Sequence, residues 1–287
     1  MTFAAAQLLR VLPRAAISRA LGTLCEAEPP APIIKTVLDV YCRAYDVDLD
    51  QARPEDAPYP SFDAFFTRKL REGLRPVSGD DRTLVSPADG RLSVTGVIDP
   101  HGSFLVKGQL YTMEDLLGDA GFARELSGGG FGVVYLSPRD YHRVHSPVAG
   151  KIVRVRAIDG DRYPVNRIGE LHVPRLFVRN RRVLIEIASP EWGRVAVVLV
   201  GAMIVGRMTV SHVDQADVAG EHVFKPPRAI ARGEEIGRFH LGSTVVFGVP
   251  KAHFPSTGFT HRGGEVVYGE ALITADRPRT NGGGSAS

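Results

Sequence analysis

A glycine followed by two hydroxyl residues stands near the C-terminal end of the chain, directly before an apolar run typical of a β-strand. The residues are Gly242-Ser243-Thr244, and the run covers 245–249. The hydroxyl oxygen of Ser243 can reach the carbonyl carbon of Gly242, and glycine tolerates strained backbone because it has no Cβ. Such an attack would convert a peptide bond into an ester. Since Gly-Ser-Thr is also common in turns, the chemistry needs partners elsewhere in the chain.

Two histidines and an aspartate are the candidate partners. His142 and His145 lie in the segment 135–147 (YLSPRDYHRVHSP), directly after a strand-like run. Loops in that position commonly carry functional side chains. Asp89 lies in an earlier turn. An aspartate that orients an imidazole, which then removes the proton of a serine, is the general arrangement that activates a hydroxyl nucleophile. We therefore expect Asp89, His145 and Ser243 to act together.

The turn that carries Asp89 has a second copy. Residues 86–92 (SPADGRL) and 146–152 (SPVAGKI) share the pattern Ser-Pro-x-x-Gly followed by a basic and an aliphatic residue. Each copy is predicted to lead the chain into a strand. Two copies predict a β-sandwich or barrel-sandwich-hybrid-like body with two related halves, in which the two turns face one another.

The first part of the chain is predicted to be helical. Residues 1–24 combine apolar side chains with three arginines, and Pro13 is expected to divide them into two short helices. This segment either lies in a membrane interface or packs on the protein body. The residues in question are Phe3, Leu8, Leu9, Leu12, Ile17, Leu21 and Leu24, with Arg10, Arg14 and Arg19.

Two more helices follow. Apolar residues recur at helical spacing over 33–45, which predicts a helix that packs through a continuous stripe or meets lipid with it. Residues 61–70 predict a third helix with Ser61 as its N-cap. Its cluster of aromatic residues is typical of a core.

The pattern changes at about residue 83 to short β-type runs separated by glycine and proline. Residues 111–126 predict a helical insertion among the strands. The fold class expected is therefore α+β, with N-terminal helices on a β-rich body. We expect a helical, membrane-associating region over 1–80, a catalytic domain over 81–276 and a disordered tail over 277–287.

Composition narrows the class of protein. The net charge is only +3, from 35 basic and 32 acidic residues, so no strong field indicates a nucleic-acid partner. The two cysteines, Cys25 and Cys42, form no CxxC pair or disulfide framework, which suits a reducing compartment. No apolar run approaches the roughly 20 residues that span a bilayer.

Taken together, several motifs resemble those of the phosphatidylserine decarboxylases. They cover about residues 30–275 in the order that this family has them. The matching segments are Phe62–Arg68, Ser86–Gly90, Tyr135–Pro147, Val165-Asn166, Val200–Gly206 and Gly237–Thr244.

The resemblance implies a proenzyme that processes itself. Ser243 would attack Gly242, with His145 as the base and Asp89 orienting it, and the ester would then undergo β-elimination and hydrolysis. The expected products are a large (β) chain ending at Gly242 and a small (α) chain from Ser243 onward, which carries a covalent pyruvoyl group in place of the serine. The pyruvoyl group would form a Schiff base with phosphatidylserine and yield phosphatidylethanolamine, with His142 positioning the substrate or delivering a proton. Neither pyridoxal phosphate nor a metal is required.

The resemblance also implies partners and a location. The two chains are expected to stay together as a heterodimer, and whether this pair dimerises further is left open. A lipid substrate favours the interfacial reading of residues 1–24, so the protein is expected at the cytoplasmic side of the cell (inner) membrane as a peripheral protein.

Three alternatives remain open from the residues alone. A serine hydrolase could use Ser243, His145 and Asp89, although the chain has no G-x-S-x-G elbow. A metal hydrolase could use both histidines and Asp89, although H-x-x-H is a weak signal and H-E-x-x-H is absent from the sequence. A non-enzymatic barrel-sandwich binding module would account for the repeated turns but not for the histidines.

Overall fold

A computed structural model describes residues 14–165, 169, 172–203 and 207–275 of the chain. The expectations for Phe3, Leu8, Leu9, Arg10, Leu12 and Pro13, and for the tail after residue 276, lie outside the described residues. So do the side chains of Arg14 and Arg19.

The helices concentrate before the first strand and in one insertion, as the sequence indicates. Ser61 Oγ accepts a hydrogen bond from the Ala64 N–H at 3.1 Å, which confirms the predicted N-cap. The helix after Ser61 is shorter than predicted: the Thr67 N–H still bonds to the Asp63 carbonyl, but the Arg68 N–H bonds to the Phe65 carbonyl in a tighter turn, and the helix ends there. The helices are α1 (Arg14–Glu26), α2 (Ala31–Tyr45), α3 (Phe62–Phe66), α4 (Met113–Leu117), α5 (Ala120–Leu126) and α6 (Leu176–Arg179).

Antiparallel strands make up the rest of the body. They are β1 (Thr83–Val85), β2 (Gly90–Val97), β3 (Ser103–Val106), β4 (Gln109–Thr112), β5 (Gly130–Leu136), β6 (Arg143–His145), β7 (Gly150–Ile158), β8 (Arg182–Ser189), β9 (Gly193–Val200), β10 (Arg207–Val210), β11 (Glu221–Ile230), β12 (Glu235–His240), β13 (Ser243–Val249), β14 (Gly264–Val266) and β15 (Ala271–Thr274). Eight of them form one sheet in the order β11-β7-β8-β9-β13-β5-β2-β14. Three smaller sheets are β10-β12-β6, β1-β15 and β3-β4. The described strands close no barrel, and the α+β class is confirmed.

The apolar run after Ser243 is a central strand of the large sheet. β13 pairs with β5 on one side and with β9 on the other, so that Ser243 lies opposite Leu136 and Thr244 opposite Val200. Every residue of β13 is buried. A strand that is buried on both faces needs a continuous apolar run rather than an alternating one, which is what this segment has.

The two Ser-Pro turns face one another, which supports the prediction of two related halves. The His145 N–H donates to the Pro87 carbonyl at 2.7 Å, and the Val85 N–H donates to the Pro147 carbonyl at 3.0 Å. β2 and β7, which follow the turns, each lie second from an edge of the large sheet. Both strands also shift register after their third residue. Each half therefore presents the same turn to the other across a local two-fold arrangement.

A small second cluster of apolar residues joins the N-terminal helices to the sheet region. Its buried members are Tyr59, Phe65, Phe66 and Leu241. The stripe on α2 packs only in part: Ile34 is buried, but Ile33, Val37 and Val40 are 55%, 45% and 61% exposed. None of the helices in the described ranges is both long and apolar enough to cross a bilayer.

Candidate active site

Ser243 begins β13 and is completely buried. Its Oγ has no hydrogen-bond partner among the described residues. A buried hydroxyl without a partner loses its hydration and gains nothing in return, so such groups are rare unless they serve a function. The position and the missing partner together make Ser243 the candidate reactive group.

The backbone before Ser243 is strained at Leu241. Leu241 has φ of 97°, a left-handed conformation that residues with a side chain rarely adopt. Such strain costs of order 1–3 kcal/mol and persists only where the surroundings enforce it. The sequence suggested Gly242 as the strained position, but Gly242 shows no positive φ, and a Cβ added there would meet nothing within 4 Å. The strain therefore lies one residue earlier.

A cavity of about 420 Å³ opens beside the Gly242-Ser243 peptide bond. Gly242 and Ser243 form part of its wall, and Tyr41, Phe62 and Phe66 bring aromatic rings to it from α2 and α3. The Cys25 thiol of α1 also lines it. The aromatic residues that the sequence indicated as core thus serve both as packing and as cavity wall. An apolar cavity of this size suits a small organic group that must be kept from water.

His142 is fully buried and contacts Phe66, one of the aromatic residues of this wall. Its Nδ1 lies 2.8 Å from the carbonyl oxygen of Asp140, so Nδ1 carries the proton and donates it. The other nitrogen, Nε2, is buried and unpartnered among the described residues. The His142 and Phe66 rings lie 4.0 Å apart. Burial lowers the pKa of His142 to about 3, so the ring is neutral at pH 7 with a free lone pair on Nε2.

His145 lies in β6 and is also buried, but both of its nitrogens are occupied. Nδ1 lies 2.8 Å from the Gly233 carbonyl, and Nε2 lies 3.2 Å from the hydroxyl of Tyr141. The ring stacks on Tyr268 with a centroid distance of 3.7 Å and an interplanar angle of 5°. Burial lowers the pKa of His145 to about 4, so it too is neutral at pH 7.

Asp89 lies in the first Ser-Pro turn, and its two carboxylate oxygens have separate partners. Oδ2 accepts hydrogen bonds from Arg75 at 3.1 and 2.9 Å, while Oδ1 accepts one from the Tyr268 N–H at 2.8 Å. Burial raises the pKa of Asp89 and the Arg75 guanidinium opposes that rise.

Asp89 and His145 are linked through Tyr268 rather than by a direct hydrogen bond. Asp89 holds the backbone of Tyr268, and the ring of Tyr268 covers the imidazole of His145. The expected hydrogen bond between Asp89 and His145 is not formed in the described structure, because backbone and phenol oxygens occupy both imidazole nitrogens. Sequence reasoning missed Tyr268 and Arg75, which lie in loops without a motif.

The match to known proteins agrees with this geometry. The profile of the phosphatidylserine decarboxylases matches residues 62–274, a span that contains Asp89, both histidines and the Gly242-Ser243 bond. The chain belongs to the phosphatidylserine decarboxylase family. Within this family it is 41% identical over 250 residues to a phosphatidylserine decarboxylase proenzyme of Alcanivorax borkumensis, covering 84% of this chain and 85% of that one.

Two other members of the phosphatidylserine decarboxylase family extend the comparison. A phosphatidylserine decarboxylase proenzyme of Myxococcus xanthus is 37% identical over 244 residues, covering 84% and 87% of the two chains. One of Acinetobacter baylyi is 37% identical over 270 residues, covering 93% and 94%. The resemblance read from the motifs is thereby confirmed, and the hydrolase and binding-module alternatives are not favoured.

Proposed function

We propose that this chain is a self-processing decarboxylase that converts phosphatidylserine to phosphatidylethanolamine. The observation that carries the proposal is Ser243 itself: a buried hydroxyl with no hydrogen-bond partner among the described residues, two residues after the strained Leu241, at the wall of an apolar cavity. Relatives that align along most of this chain are named as phosphatidylserine decarboxylase proenzymes. The name implies a precursor whose own chain must change before it acts.

In the first reaction Ser243 Oγ attacks the carbonyl carbon of Gly242. The bond from that carbon to the Ser243 nitrogen breaks as the ester bond forms, and the hydroxyl proton ends on the released amine. Elimination then removes the Cα proton of residue 243 and breaks its Cβ–O bond, which frees the carboxylate of Gly242. Water then replaces the nitrogen of residue 243, so that ammonia leaves. The product is a pyruvoyl group at the start of the small chain. Strain at Leu241 favours the forward reaction, since a free chain end no longer enforces that conformation.

We assign His145 as the base that takes the Ser243 proton. Because Nδ1–H donates to Gly233, the lone pair of Nε2 is the accepting site, at present shared with the Tyr141 hydroxyl. His145 would exchange that hydrogen bond for one with Ser243 when the reaction begins. Asp89 supports the base through Tyr268, by fixing the backbone that carries the stacked ring.

The surroundings of Ser243 fit a pyruvoyl group. The cavity leaves room beside residues 242–243, and its wall is mainly apolar. Once formed, the pyruvoyl carbonyl supplies the electron sink that loss of carbon dioxide from an amino acid requires and that no side chain offers. The chain itself contributes a dry cavity around the departing carboxylate, which favours the loss of charge.

His142 is the proposed proton carrier of this second reaction. The serine headgroup reacts only as a free amine, and Nε2 of His142, which has no partner among the described residues, can take the proton that the ammonium must lose. The same atom can return a proton to the substrate carbon from which carbon dioxide has departed. The fixed bond from Nδ1 to Asp140 keeps Nε2 as the accepting nitrogen throughout.

The two products of cleavage would remain a heterodimer. β13, the first strand of the small chain, is inserted between β5 and β9 of the large chain. β14 and β15 pair in addition with β2 and β1. Separation would expose a fully buried and mainly apolar strand, which is unfavourable at about 25 cal/mol per Å² of apolar surface.

We propose that the N-terminal helices dock the enzyme on a membrane. α1 and α2 expose Leu24, Ile33, Val37 and Val40, and α1 supplies Cys25 to the cavity wall. The exposed apolar face therefore belongs to helices that border the cavity, as a substrate held in a bilayer requires. Residues 1–80 would form this membrane-associating region, with the catalytic domain in 81–276.

Purified protein on phosphatidylserine vesicles tests the activity. We expect release of carbon dioxide with formation of phosphatidylethanolamine, and loss of both in Ser243→Ala. We expect His142→Gln to be cleaved but to turn over slowly, by roughly 100-fold or more, because only the second reaction uses its Nε2. A fully cleaved wild-type protein that releases no carbon dioxide from these vesicles would overturn the proposal.

A further inference from the structure

The residue before the strained Leu241 is held by a carboxylate from α3. His240 Nδ1 lies 2.8 Å from Asp63 Oδ1 and 3.0 Å from Oδ2, and its Nε2 lies 3.3 Å from the hydroxyl of Thr209. His240 is 9% exposed, so these contacts are largely shielded from water. Because an ionised carboxylate only accepts, Nδ1–H is the donor to Asp63.

The same short helix also holds the side chain of Leu241. Phe65 and Phe66 of α3 form a buried cluster with Leu241, which is 8% exposed. Thus α3 holds two consecutive residues on the upstream side of the Gly242-Ser243 bond, one by a hydrogen bond and one by packing. The downstream side is held independently, since Ser243 pairs with Leu136 of β5 and Thr244 pairs with Val200 of β9.

Gly242 lies between these two supports and is itself loosely surrounded. The φ of Leu241 must therefore be enforced by its neighbours rather than by contacts at Gly242. A strained conformation survives only where surrounding contacts over-determine it. The two contacts from α3 meet that requirement.

Asp63 is in turn supported by further charge. Arg207, at the start of β10, lies 3.5 Å from Asp63 Oδ2 through Nη2 and 2.9 Å from Glu26 Oε1 through Nε. β10 pairs directly with β12, so that Arg207 lies opposite His240. The carboxylate of Asp63 thus has a fixed place relative to both strands.

We infer that Asp63 and His240 are positioning residues for self-cleavage. They hold the backbone of residues 240–242 so that the Gly242 carbonyl faces Ser243. The inference rests on the proposed function, since it assumes that the Gly242-Ser243 bond is the one that breaks. Neither side chain touches the reacting atoms. The pair acts on the rate of cleavage through the backbone of residues 240–242.

The rate at which newly synthesised precursor yields the small chain tests this inference. We expect His240→Ala to slow cleavage by roughly 10- to 100-fold, because small misplacements of reacting groups have effects of that size. His240→Asn should restore most of the rate, since an asparagine amide nitrogen can occupy the place of Nδ1 and donate to Asp63. His240→Gln, whose amide reaches instead toward the place of Nε2, should not.

Two further measurements separate positioning from folding. The double variant with Asp63→Ala and His240→Ala should be no slower than either single variant, because both remove the same bond. Each substitution is also made with Ser243→Ala, in which the melting temperature of the uncleaved chain reports folding alone. His101→Ala, at an exposed histidine, is the matched control.

The outcomes are distinguishable from failure of the proposed function. A wild-type chain that never yields the small chain would overturn the proposed function and this inference with it. If the wild type cleaves and His240→Ala cleaves at the same rate, only the inference is overturned. Equal slowing in His240→Asn and His240→Ala would likewise contradict it, because the bond to Asp63 would then be irrelevant.

Discussion

The ring of Tyr268 lies parallel to the imidazole of His145, with the centroids 3.7 Å apart and the planes at 5°. The Tyr268 N–H donates to Asp89 at 2.8 Å. Asp89, Tyr268 and His145 thus form a continuous contact in which the aspartate acts on the histidine through a third residue. In the proposed cleavage Tyr268 would fall in the small chain and the other two residues in the large chain, so the contact would also join the two products.

Substitutions at Tyr268 test this contact. We expect Tyr268→Phe to cleave at nearly the wild-type rate, because the ring stacks and the hydroxyl is not required. Tyr268→Ala should slow cleavage by roughly 2- to 10-fold, since ring contacts of this kind contribute about 0.5–1.5 kcal/mol. The measurement is the time course of small-chain formation. Equal rates in Tyr268→Ala and the wild type would show that the stacked ring does not position His145.

The location of the strain leads to a second prediction. Gly242→Ala should leave the uncleaved Ser243→Ala precursor as stable as before, to within about 0.5 kcal/mol, as is usual where a substitution meets no special feature. A Cβ at residue 242 meets nothing within 4 Å, and the residue shows no positive φ. Gly248→Ala is the contrasting variant, because its Cβ would come within 3.1 Å of Leu126. Denaturant unfolding of both proteins measures the difference, and a large loss for Gly242→Ala would contradict the assignment of the strain to Leu241.

A third prediction concerns pH. Burial lowers the pKa of His142 to about 3 and that of His145 to about 4 in the folded chain, against about 6.5 when unfolded. Below pH 6.5 the unfolded chain binds more protons than the folded chain, so the stability present above pH 6.5 is lost as the pH falls toward these folded values. Each histidine should account for about 2 kcal/mol of lost stability between pH 6.5 and 5.

The free energy of unfolding of the Ser243→Ala precursor, measured at pH 7 and at pH 5, checks the predicted loss of stability. His142→Gln should reduce the loss between the two values, while His101→Gln, at an exposed histidine, should leave it unchanged. If His142→Gln and the parent lose the same free energy of unfolding, the buried imidazole is not neutral in the folded state.

The membrane proposal is tested by a pair of valines with equal exposure. Val40 on α2 and Val97 at the end of β2 are both 61% exposed. We expect Val40→Asp to weaken binding to phosphatidylserine vesicles several-fold, because it places a charge on an apolar face that enters the interface. Val97→Asp should bind as the wild type does. Flotation with the vesicles measures both, and equal binding by the two variants would refute docking through α2.

Much of the fold follows from local signals in the sequence. The N-cap of Ser61, the change to strands at Thr83 and the two Ser-Pro turns are each set by a few neighbouring residues, and each appears in the structure. The place of β13 between β5 and β9 depends on contacts between distant segments. No local pattern encodes those contacts.

The site, like the fold, could be predicted only as far as local sequence signals reach. Residue types and motifs indicated Asp89, both histidines and Ser243 as candidates. The partners of His145 could not be inferred, because one of them is a main-chain carbonyl 88 residues away, which leaves no mark in the sequence. The exposure of the apolar face of α2 could not be predicted either, because an apolar stripe has the same spacing whether it contacts protein or lipid.

The mass of the purified protein under denaturing conditions tests the central claim most directly. The account predicts two chains: residues 1–242 ending in a free carboxylate, and residues 243–287 lighter by one molecule of ammonia than the unmodified peptide. Ser243→Ala should give a single chain of full mass. A wild-type protein that remains one chain while releasing carbon dioxide from phosphatidylserine, or a small chain that begins with an intact serine, would contradict the account.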